Sequence, residues 1–210
     1  MWRRWRRCVL MALMPASLGS LAFGQSPPPQ TEDDEYTRYE LLEPETAAFR
    51  ITYEVTATAP GATTFFNPIR KGSAASDEAV HDRFTGKPLK FGVVPGAVAR
   101  AGGLPDADPD TSYIRVTLAR PVPKDGETRL LISKTYRDPK SYSREGETIV
   151  FARSLGIKRN AVMLPPGYEV VACNVPAQVL WQAEGRLLVS FMNPGPAEAP
   201  LVLKARRIGR

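Results

Sequence analysis

The residues that could act in acid–base or nucleophilic catalysis are few in this sequence. The 210-residue chain has one histidine, His81, and two cysteines, Cys8 and Cys173. One histidine excludes every site that needs two, including HExxH zinc peptidases and two-histidine iron centres. A Ser-His-Asp triad would have to use His81, but no GxSxG nucleophile motif is present. The neighbouring Asp82 would point to the opposite face of a strand. We therefore expect no catalytic residue and a solvent-facing His81.

The two cysteines differ in their sequence context. Cys173 lies in the apolar run YEVVACNV, which favours a buried, inert thiol. A Cys-His dyad with His81 is the alternative. Cys8 falls in a predicted signal peptide (residues 1–24), so its removal would leave no partner for an intramolecular disulfide.

Three aspartates alternate in the segment PDADPDTS: Asp106, Asp108 and Asp110. The first three calcium ligands of an EF-hand have this spacing, and calcium prefers such carboxylate oxygens. The match then fails, because Thr111 replaces the turn glycine and Thr117 stands where the closing glutamate is needed. The segment predicts either a calcium site or an aspartate-rich turn before a strand.

A basic, tyrosine-bearing segment covers residues 134–147, and a second cationic pair follows at 158–159. Interleaved cations and tyrosines are typical of contacts with an anionic phospholipid, an acidic glycan or an acidic protein surface. A solvated loop between strands is the alternative, because exposed lysine and arginine are the default surface of a protein. The candidate residues for an anionic partner are Lys134, Arg137, Lys140, Arg144, Lys158 and Arg159.

Period-two hydrophobic alternation dominates the elements that would position these residues. In residues 48–59, Phe49, Ile51 and Tyr53 alternate with polar residues, which predicts a strand with one buried face. Further strand-like runs cover residues 112–120, 128–136, 147–155, 161–175, 185–193 and 200–207.

Turn signals between the runs predict two hairpins. One spans residues 79–94 around a Thr-Gly-Lys-Pro turn, and the other joins 112–120 to 128–136 through a Lys-Asp-Gly turn. The helical candidate, residues 73–80, fits a loop equally well. The chain has twenty prolines, which oppose long helices. We therefore predict an all-β fold: a single antiparallel β-sandwich of immunoglobulin-like architecture over residues 46–210.

The first 45 residues are predicted to precede that domain. Residues 1–24 combine four arginines, an apolar run and the small-x-small signal Ala-Phe-Gly, which is typical of a cleaved signal peptide. The run is shorter than the ~20 residues of a membrane span. We therefore expect cleavage before Gln25 and a periplasmic or secreted protein, with a retained membrane anchor as the alternative. Residues 25–45, rich in proline and then acidic, predict a flexible linker.

Charge is unevenly distributed along the chain. The formal net charge is +6; the four arginines of residues 1–24 supply four of these charges, which leaves +2 after cleavage. Residues 25–45 carry seven acids and one base, whereas residues 46–210 carry 23 bases and 15 acids. The small net charge disfavours nucleic acid, and a membrane would be contacted only through the signal peptide before cleavage. The basic body predicts an anionic surface or an envelope protein as partner.

The strand ITYEVTA, the segment HDRFTGKPLKF and the run LPPGYEVV together resemble exported bacterial β-sandwich proteins of unknown function. They are also similar to β-sandwich domains that precede catalytic domains in some envelope peptidase-like or transglutaminase-like proteins. The resemblance covers residues 48–205 and depends on strand pattern and turns. It implies a β-sandwich and carries over no functional residue, since the catalytic parts of those larger proteins are missing from this sequence.

These observations predict an exported, non-catalytic binding or scaffold protein of the bacterial cell envelope, with no cofactor. Two alternatives stay open. One is an accessory domain of a hydrolytic enzyme, or a small hydrolase. The other is a calcium-dependent adhesive module that uses Asp106, Asp108 and Asp110.

Overall fold

The structure, a computed structural model, describes residues 26–209, apart from the side chains at positions 34 and 35. The predicted signal peptide lies outside the described residues. Within them the fold is nearly all β, which confirms the predicted fold class. The strands are β1 (Glu32–Leu41), β2 (Ala48–Ala57), β3 (Thr64–Pro68), β4 (Ala74–Asp82), β5 (Phe91–Pro95), β6 (Ser112–Thr117), β7 (Thr128–Arg137), β8 (Tyr142–Glu145), β9 (Thr148–Leu155), β10 (Arg159–Met163), β11 (Tyr168–Cys173), β12 (Gln178–Trp181), β13 (Leu187–Met192) and β14 (Ala199–Arg207).

Helical structure in the described range is short. One α-helix, α1, covers Gly96–Ala101, and two 3-10 turns cover Pro44–Thr46 and Ala183–Gly185. Between residues 26 and 209, no helix has the length and apolar composition needed to cross a membrane.

The strands form three sheets. The large sheet has seven strands in the order β12-β13-β10-β1-β2-β7-β4. A four-stranded sheet has the order β11-β14-β9-β8, and a three-stranded sheet has the order β3-β6-β5. Neighbouring strands of the described chain are antiparallel except β1 and β10, which are parallel. The sheets agree with a sandwich-like fold, and the finer immunoglobulin-like assignment stays a prediction.

Two hydrophobic clusters lie on one face of the large sheet. Alternate residues of β2 show the division: Phe49 and Ile51 belong to the first cluster, whereas Tyr53 and Val55 belong to the second. The first cluster also contains residues of β9 and β14, and the second contains residues of β3 and β6. The four-stranded sheet therefore covers one end of the face and the three-stranded sheet covers the other.

Aromatic side chains fill the first cluster. The ring centroids of Phe49 and Phe151 are 5.3 Å apart with an interplanar angle of 82°, an edge-to-face contact. Tyr39 and Tyr136 contact the same Phe49 ring. Such pairs add ~0.5–1.5 kcal/mol each to the stabilisation from burial, so this cluster contributes strongly to holding the two sheets together.

The predicted linker is wrong over residues 32–41, which form β1 in the middle of the large sheet. The acidic composition at its start indicated a flexible segment. Its second half, however, alternates the buried Thr37, Tyr39 and Leu41 with the half-buried Arg38 and Glu40. That alternation fills a gap between β10 and β2, and pairing on both sides outweighs the local composition.

Of residues 73–80, predicted as helix or loop, all but the first are part of strand β4. The strand pairs with β7 along the edge of the large sheet, with a bulge between Ser76 and Ala79. Asp77, inside this bulge, has a φ of 52°. A bulge breaks the period-two pattern, which explains why the sequence alone did not show a strand.

The predicted hairpin of residues 79–94 forms only next to its turn, and the one that joins 112–120 to 128–136 does not form, because the strands of each pair divide between two sheets. β4 pairs with β7 while β5 pairs with β6, so β6 and β7 are also in different sheets. The turn inside 79–94 is real: the Asp82 carboxylate accepts hydrogen bonds from the backbone amides of Phe84 (3.1 Å) and Thr85 (2.8 Å). The chain returns along β4 for a short distance, with an antiparallel bridge between His81 and Pro88 and a hydrogen bond from the Leu89 amide to the Val80 carbonyl oxygen (2.8 Å). It then crosses to the three-stranded sheet as β5.

Candidate functional site

His81 and Cys173 are not brought together. His81 is half-buried on β4, at one edge of the large sheet, and pairs with Leu131. Cys173 ends β11, at an edge of the four-stranded sheet, where it packs against the first hydrophobic cluster. Among residues 26–209, no group of three or more histidine, cysteine, aspartate or glutamate side chains could hold a metal ion.

The three alternating aspartates lie in the loop between α1 and β6, and the middle one is engaged in local contacts. The Oδ1 atom of Asp108 accepts a hydrogen bond from the backbone amide of Asp110 (2.9 Å), and its Oδ2 atom accepts one from the Thr111 hydroxyl (3.2 Å). Lys71 forms an ion pair with the same carboxylate, with Nζ 2.8 Å from Oδ2. The hydrogen bond from Lys71 is the main cause that lowers the pKa of Asp108. These contacts fit the aspartate-rich turn, and the structure adds no support for calcium.

The six basic candidates do not share one surface. Arg137 and Lys140 are exposed near the end of β7, and Arg144 on β8 pairs with Glu45 and Glu147. The exposed Lys158 precedes β10, which begins at the half-buried Arg159 and lies three strands away from β7 in the large sheet. With neighbouring strands ~4.8 Å apart, that is about 14 Å across the sheet. Binding of an anionic partner by these residues stays a prediction.

Lys134, the first of the six, is buried instead of exposed. Its side chain follows Leu130 and Ile132 on the inner face of β7, and the residue is 5% exposed. Its Nζ atom donates hydrogen bonds to Asn67 Oδ1 (2.7 Å) and to the carbonyl oxygen of Pro68 (3.1 Å), both on β3. Both acceptors are neutral, and among the described residues no carboxylate forms an ion pair with this lysine.

The pKa of Lys134 is lowered to about 8, mainly by burial. Repulsion from the positive charge of Arg153 contributes to this lowering, and Glu78 on β4 acts weakly in the opposite direction. An ammonium group loses hydration when it is buried, and two neutral acceptors replace only part of that stabilisation. At neutral pH this amine is still mostly charged.

Arg153 is a second buried cation, which was not among the residues predicted from the sequence. It lies on the inner face of β9, and its Nη1 atom is 3.2 Å from Asp138 Oδ2, with both side chains almost fully buried. The guanidinium carbon is 5.4 Å from the ring centroid of Phe49 and 5.6 Å from that of Tyr136. Cation–π contacts with these rings replace part of the water that Arg153 loses.

Asp138 is held ionised as the counter-ion of Arg153. Burial alone would raise the pKa of Asp138, but hydrogen bonds from Ser141 and the charge of Arg153 lower it overall. The Ser141 hydroxyl donates to Asp138 Oδ2 at 2.7 Å. The pair therefore neutralises itself, whereas Lys134 has no comparable partner in the part of the chain that the structure describes.

Both buried cations line a cavity of about 580 Å³, which we call the interlayer cavity. It lies where the two hydrophobic clusters meet, so each of the three sheets forms part of its wall. Tyr39 and Tyr53 line it from the large sheet, and Phe66 lines it from the three-stranded sheet. Its volume is in the range of small-molecule sites, ~300–1,000 Å³.

Part of this site was visible in the sequence. In TRLLISKTY, Lys134 shares its strand face with Leu130, Ile132 and Tyr136, and period two places all four residues on one side. The same alternation in TIVFARSL puts Arg153 with buried residues of β9. Lys134 was predicted to be part of a basic surface because charge composition does not show which face of a strand carries a residue.

A second feature is the outer edge of the large sheet at β12, which we call the β12 edge (residues 178–181). Val179 is 49% and Trp181 is 71% exposed. They pair with Val189 and Leu187 of β13, both buried in the first cluster. Directly paired residues share a sheet face. Val179 and Trp181 therefore lie on the same face of the large sheet as the first cluster, but at β12 no other sheet of the described chain covers that face.

Comparison with known proteins supports the fold and leaves the function open. No protein-family model matches the chain, and no curated protein sequence matches it either. An M1 zinc metallopeptidase from Deinococcus radiodurans is similar in structure, with a TM-score of 0.52 and 11% identity over 85% of this chain. The match spans 42% of that peptidase chain, so more than half of the peptidase lies outside it. A mutant M1 zinc metallopeptidase from the same organism matches with a TM-score of 0.49 and 11% identity over 82% of this chain and 41% of its own, which is too low to add an argument.

Proposed function

We propose that this chain is a non-catalytic accessory β-domain of a hydrolytic enzyme and that it packs against a catalytic unit. The observation that carries the proposal is the structural match, which covers 85% of this chain but only 42% of an M1 zinc metallopeptidase. At 11% identity the match shows a shared fold, and the hydrolytic association is our inference. The alternative of an accessory domain is thus favoured over the free-standing binding protein that the sequence analysis put first.

The composition of the chain supports an accessory role over a catalytic one. A zinc peptidase with an HExxH motif uses two histidines to bind its metal, and the sequence contains one histidine. A catalytic unit of this kind would have to be supplied by another stretch of polypeptide, on the same chain or on a separate one.

The β12 edge is the surface that we propose for the catalytic unit. An uncovered apolar sheet face next to an edge strand with unpaired backbone groups favours aggregation unless another surface packs on it. Here Val179 and Trp181 extend an inner face beyond its covering sheet. On the opposite face of the neighbouring strand, Met192 is 62% exposed. A groove lined by Tyr36 and Phe191 runs beside this edge. A catalytic unit packed on this edge would complete the sandwich.

Site-specific photo-crosslinking tests this proposal. A benzoylphenylalanine at position 181 should crosslink, in cells that produce the protein, to polypeptide that carries a hydrolase catalytic domain. The same probe at Lys124, an exposed residue between β6 and β7, is the control and should not capture that domain. Mass spectrometry of the crosslinked peptide identifies the partner.

The result can contradict the proposal in two ways. Crosslinks from position 181 to a non-hydrolytic envelope protein would restore the binding or scaffold function that the sequence first suggested. Equal yields from positions 181 and 124 would show that the β12 edge has no preferred partner.

We also propose that the protein acts in the periplasm or outside the cell, on the basis of residues 1–24. Osmotic-shock fractionation followed by N-terminal sequencing should give a chain that starts at Gln25. A cytoplasmic chain that still begins with Met1 would contradict export, and a membrane-bound one would show that the signal is retained as an anchor.

A further inference from the structure

We propose that the interlayer cavity is a binding site for a small organic carboxylate with an aromatic or apolar body, with Lys134 as the group that binds the carboxylate. This inference concerns a different part of the molecule from the β12 edge and does not depend on the hydrolase association.

The first argument is charge. Of the two buried cations on the cavity wall, Arg153 has Asp138 as a counter-ion at 3.2 Å. Among the described residues, Lys134 has the neutral oxygens of Asn67 and Pro68 at 2.7 Å and 3.1 Å and a cation–π contact with the Tyr136 ring, 5.2 Å from Nζ to the ring centroid, but no carboxylate partner. An ammonium group has three donors, and two are used in these bonds. Glu32, Asp106 and Glu198 also line the cavity, but among the described residues no carboxylate forms an ion pair with Lys134, so a ligand carboxylate that accepts a hydrogen bond from the third donor would supply its counter-ion.

The second argument is the composition of the wall. Tyr39, Tyr53, Phe66 and Tyr113 line the cavity and present large rings from two sheets. A pocket with mostly apolar and aromatic walls and a few charged groups is typical of a small-molecule site. Here the buried charges are Lys134 and Arg153, whereas the other charged lining residues are exposed: Glu32, Arg70, Lys71, Asp106 and Glu198. Inorganic phosphate would gain little from such walls, whereas an aryl or alkyl carboxylate would bury its body against them.

The third argument is access. Lys71 and Glu198, both exposed, also line the cavity, so it reaches solvent at this rim. Gly156 lies at the same rim, and a Cβ atom added there would meet the Glu198 side chain at an ordinary contact distance of 3.6 Å. A larger side chain at position 156 can therefore narrow the entrance without a backbone clash.

Fluorine NMR with three matched probes tests the proposal on the full mature chain. 4-Fluorophenylacetate carries the carboxylate, 4-fluorophenylacetamide is its neutral counterpart, and 4-fluorophenethylamine is its cationic counterpart. We expect saturable binding of the carboxylate that is at least ten times tighter than binding of either counterpart. Inorganic phosphate at the same concentration should not displace it, which separates an aryl carboxylate site from a general anion site.

Three variants locate the binding. Lys134→Met should weaken binding of the carboxylate at least tenfold, while the exposed Lys140→Met, with the same change in charge, should leave it unchanged. Gly156→Phe should weaken binding by narrowing the entrance while it leaves Lys134 in place, so it tests the site even if Lys134→Met does not fold. Equal affinity for the three probes, displacement by phosphate, or unchanged affinity in a folded Gly156→Phe protein would overturn the proposal.

Discussion

Lys134 and Arg153 place two positive charges inside the sandwich, and their environments predict opposite responses to pH and mutation. Arg153 is matched by Asp138, whose lowered pKa shows that the folded state favours its negative form. The pKa of Lys134 is lowered to about 8, which shows that the folded state disfavours its positive form. One buried charge therefore belongs to a stabilising pair, and the other is a charge that the fold tolerates at a cost.

We predict that stability rises with pH in a way that depends on Lys134. Between its folded pKa of about 8 and the ordinary lysine value of ~10.4, the unfolded chain binds more protons than the folded one, so the free energy of unfolding increases with pH. Relative to Lys134→Met, the wild-type protein should gain about 2 kcal/mol between about pH 7 and about pH 10. Urea unfolding of both proteins across this range measures the difference.

The comparison removes other titrations that the two proteins share. Lys134→Met also leaves the Asn67 and Pro68 oxygens without their donor, but that loss does not change with pH and shifts the whole curve. A difference between the two proteins that stays constant from pH 7 to 10 would show that the lysine has an ordinary pKa.

For Asp138 we predict a loss of stability on Asp138→Asn that an exposed pair does not show. Removal of one partner leaves Arg153 buried without its counter-ion, which typically costs ~3–5 kcal/mol. The matched control is Glu169→Gln, which breaks an ion pair to Arg206 at 2.6 Å between exposed side chains and should cost under ~1 kcal/mol. The Asp138 effect should shrink as the pH falls from the ordinary aspartate value of ~3.9 towards the lower pKa of the folded state, because the unfolded chain takes up the proton first. Thermal unfolding of the two variants measures both losses of stability. Equal losses would contradict the role of Asp138 as a buried counter-ion of Arg153.

At the scale of elements, one turn carries strain that a single substitution can release. Ala47 follows the 3-10 turn Pro44–Thr46 with a φ of 51°, in the left-handed region. A residue with a Cβ atom there loses ~1–2 kcal/mol relative to glycine.

We therefore predict that Ala47→Gly raises the free energy of unfolding by about 1 kcal/mol. The same substitution in α1, Ala97→Gly, should lower it by about as much, because glycine is ~1 kcal/mol less favourable in a helix. Denaturant unfolding of the two variants should therefore give changes of opposite sign in the free energy of unfolding, although both replace alanine with glycine. A loss at both positions would show that the left-handed conformation at Ala47 is not strained.

Strand positions could be read from the sequence, but strand partners could not. Period two located β2, β7 and β9 because each has one face in the core. It failed for β4, where a bulge interrupts the alternation, and for β1, where acidic residues obscure the first half. Pairing is set by contacts between distant segments, such as the parallel register of β1 with β10. No local pattern encodes such a register.

The same limit explains what could be predicted of the candidate sites. Lys134 and Arg153 could have been placed on buried faces from their own strands. That both line one cavity depends on two small sheets meeting over one face of the large sheet, which is a property of the assembled layers. The exposed β12 edge likewise depends on where a covering sheet ends.

At the scale of the whole molecule, β1 joins the two halves of the large sheet. It pairs with β2 on one side and with β10 on the other, so β10, β13 and β12 reach the rest of this sheet through it. Deletion of residues 25–45 as a dispensable linker would remove β1, the fourth of the seven strands in this sheet. The accessory-domain and carboxylate-site proposals both require that this sheet is intact.

Two truncations test whether residues 32–41 are an essential strand or a dispensable linker. A chain that starts at Gln30 should fold, because it keeps β1 and the hydrogen bonds of the Gln30 side chain to the backbone of Phe66 at 2.7 Å and 3.1 Å. A chain that starts at Leu42 lacks all of β1, and we expect it to show no cooperative unfolding transition, because the buried Tyr39 and Leu41 and both rows of backbone hydrogen bonds are lost together. Circular dichroism with thermal melting distinguishes the two outcomes. If the shorter chain melted cooperatively at the temperature of the longer one, residues 32–41 would be the linker that their composition suggests.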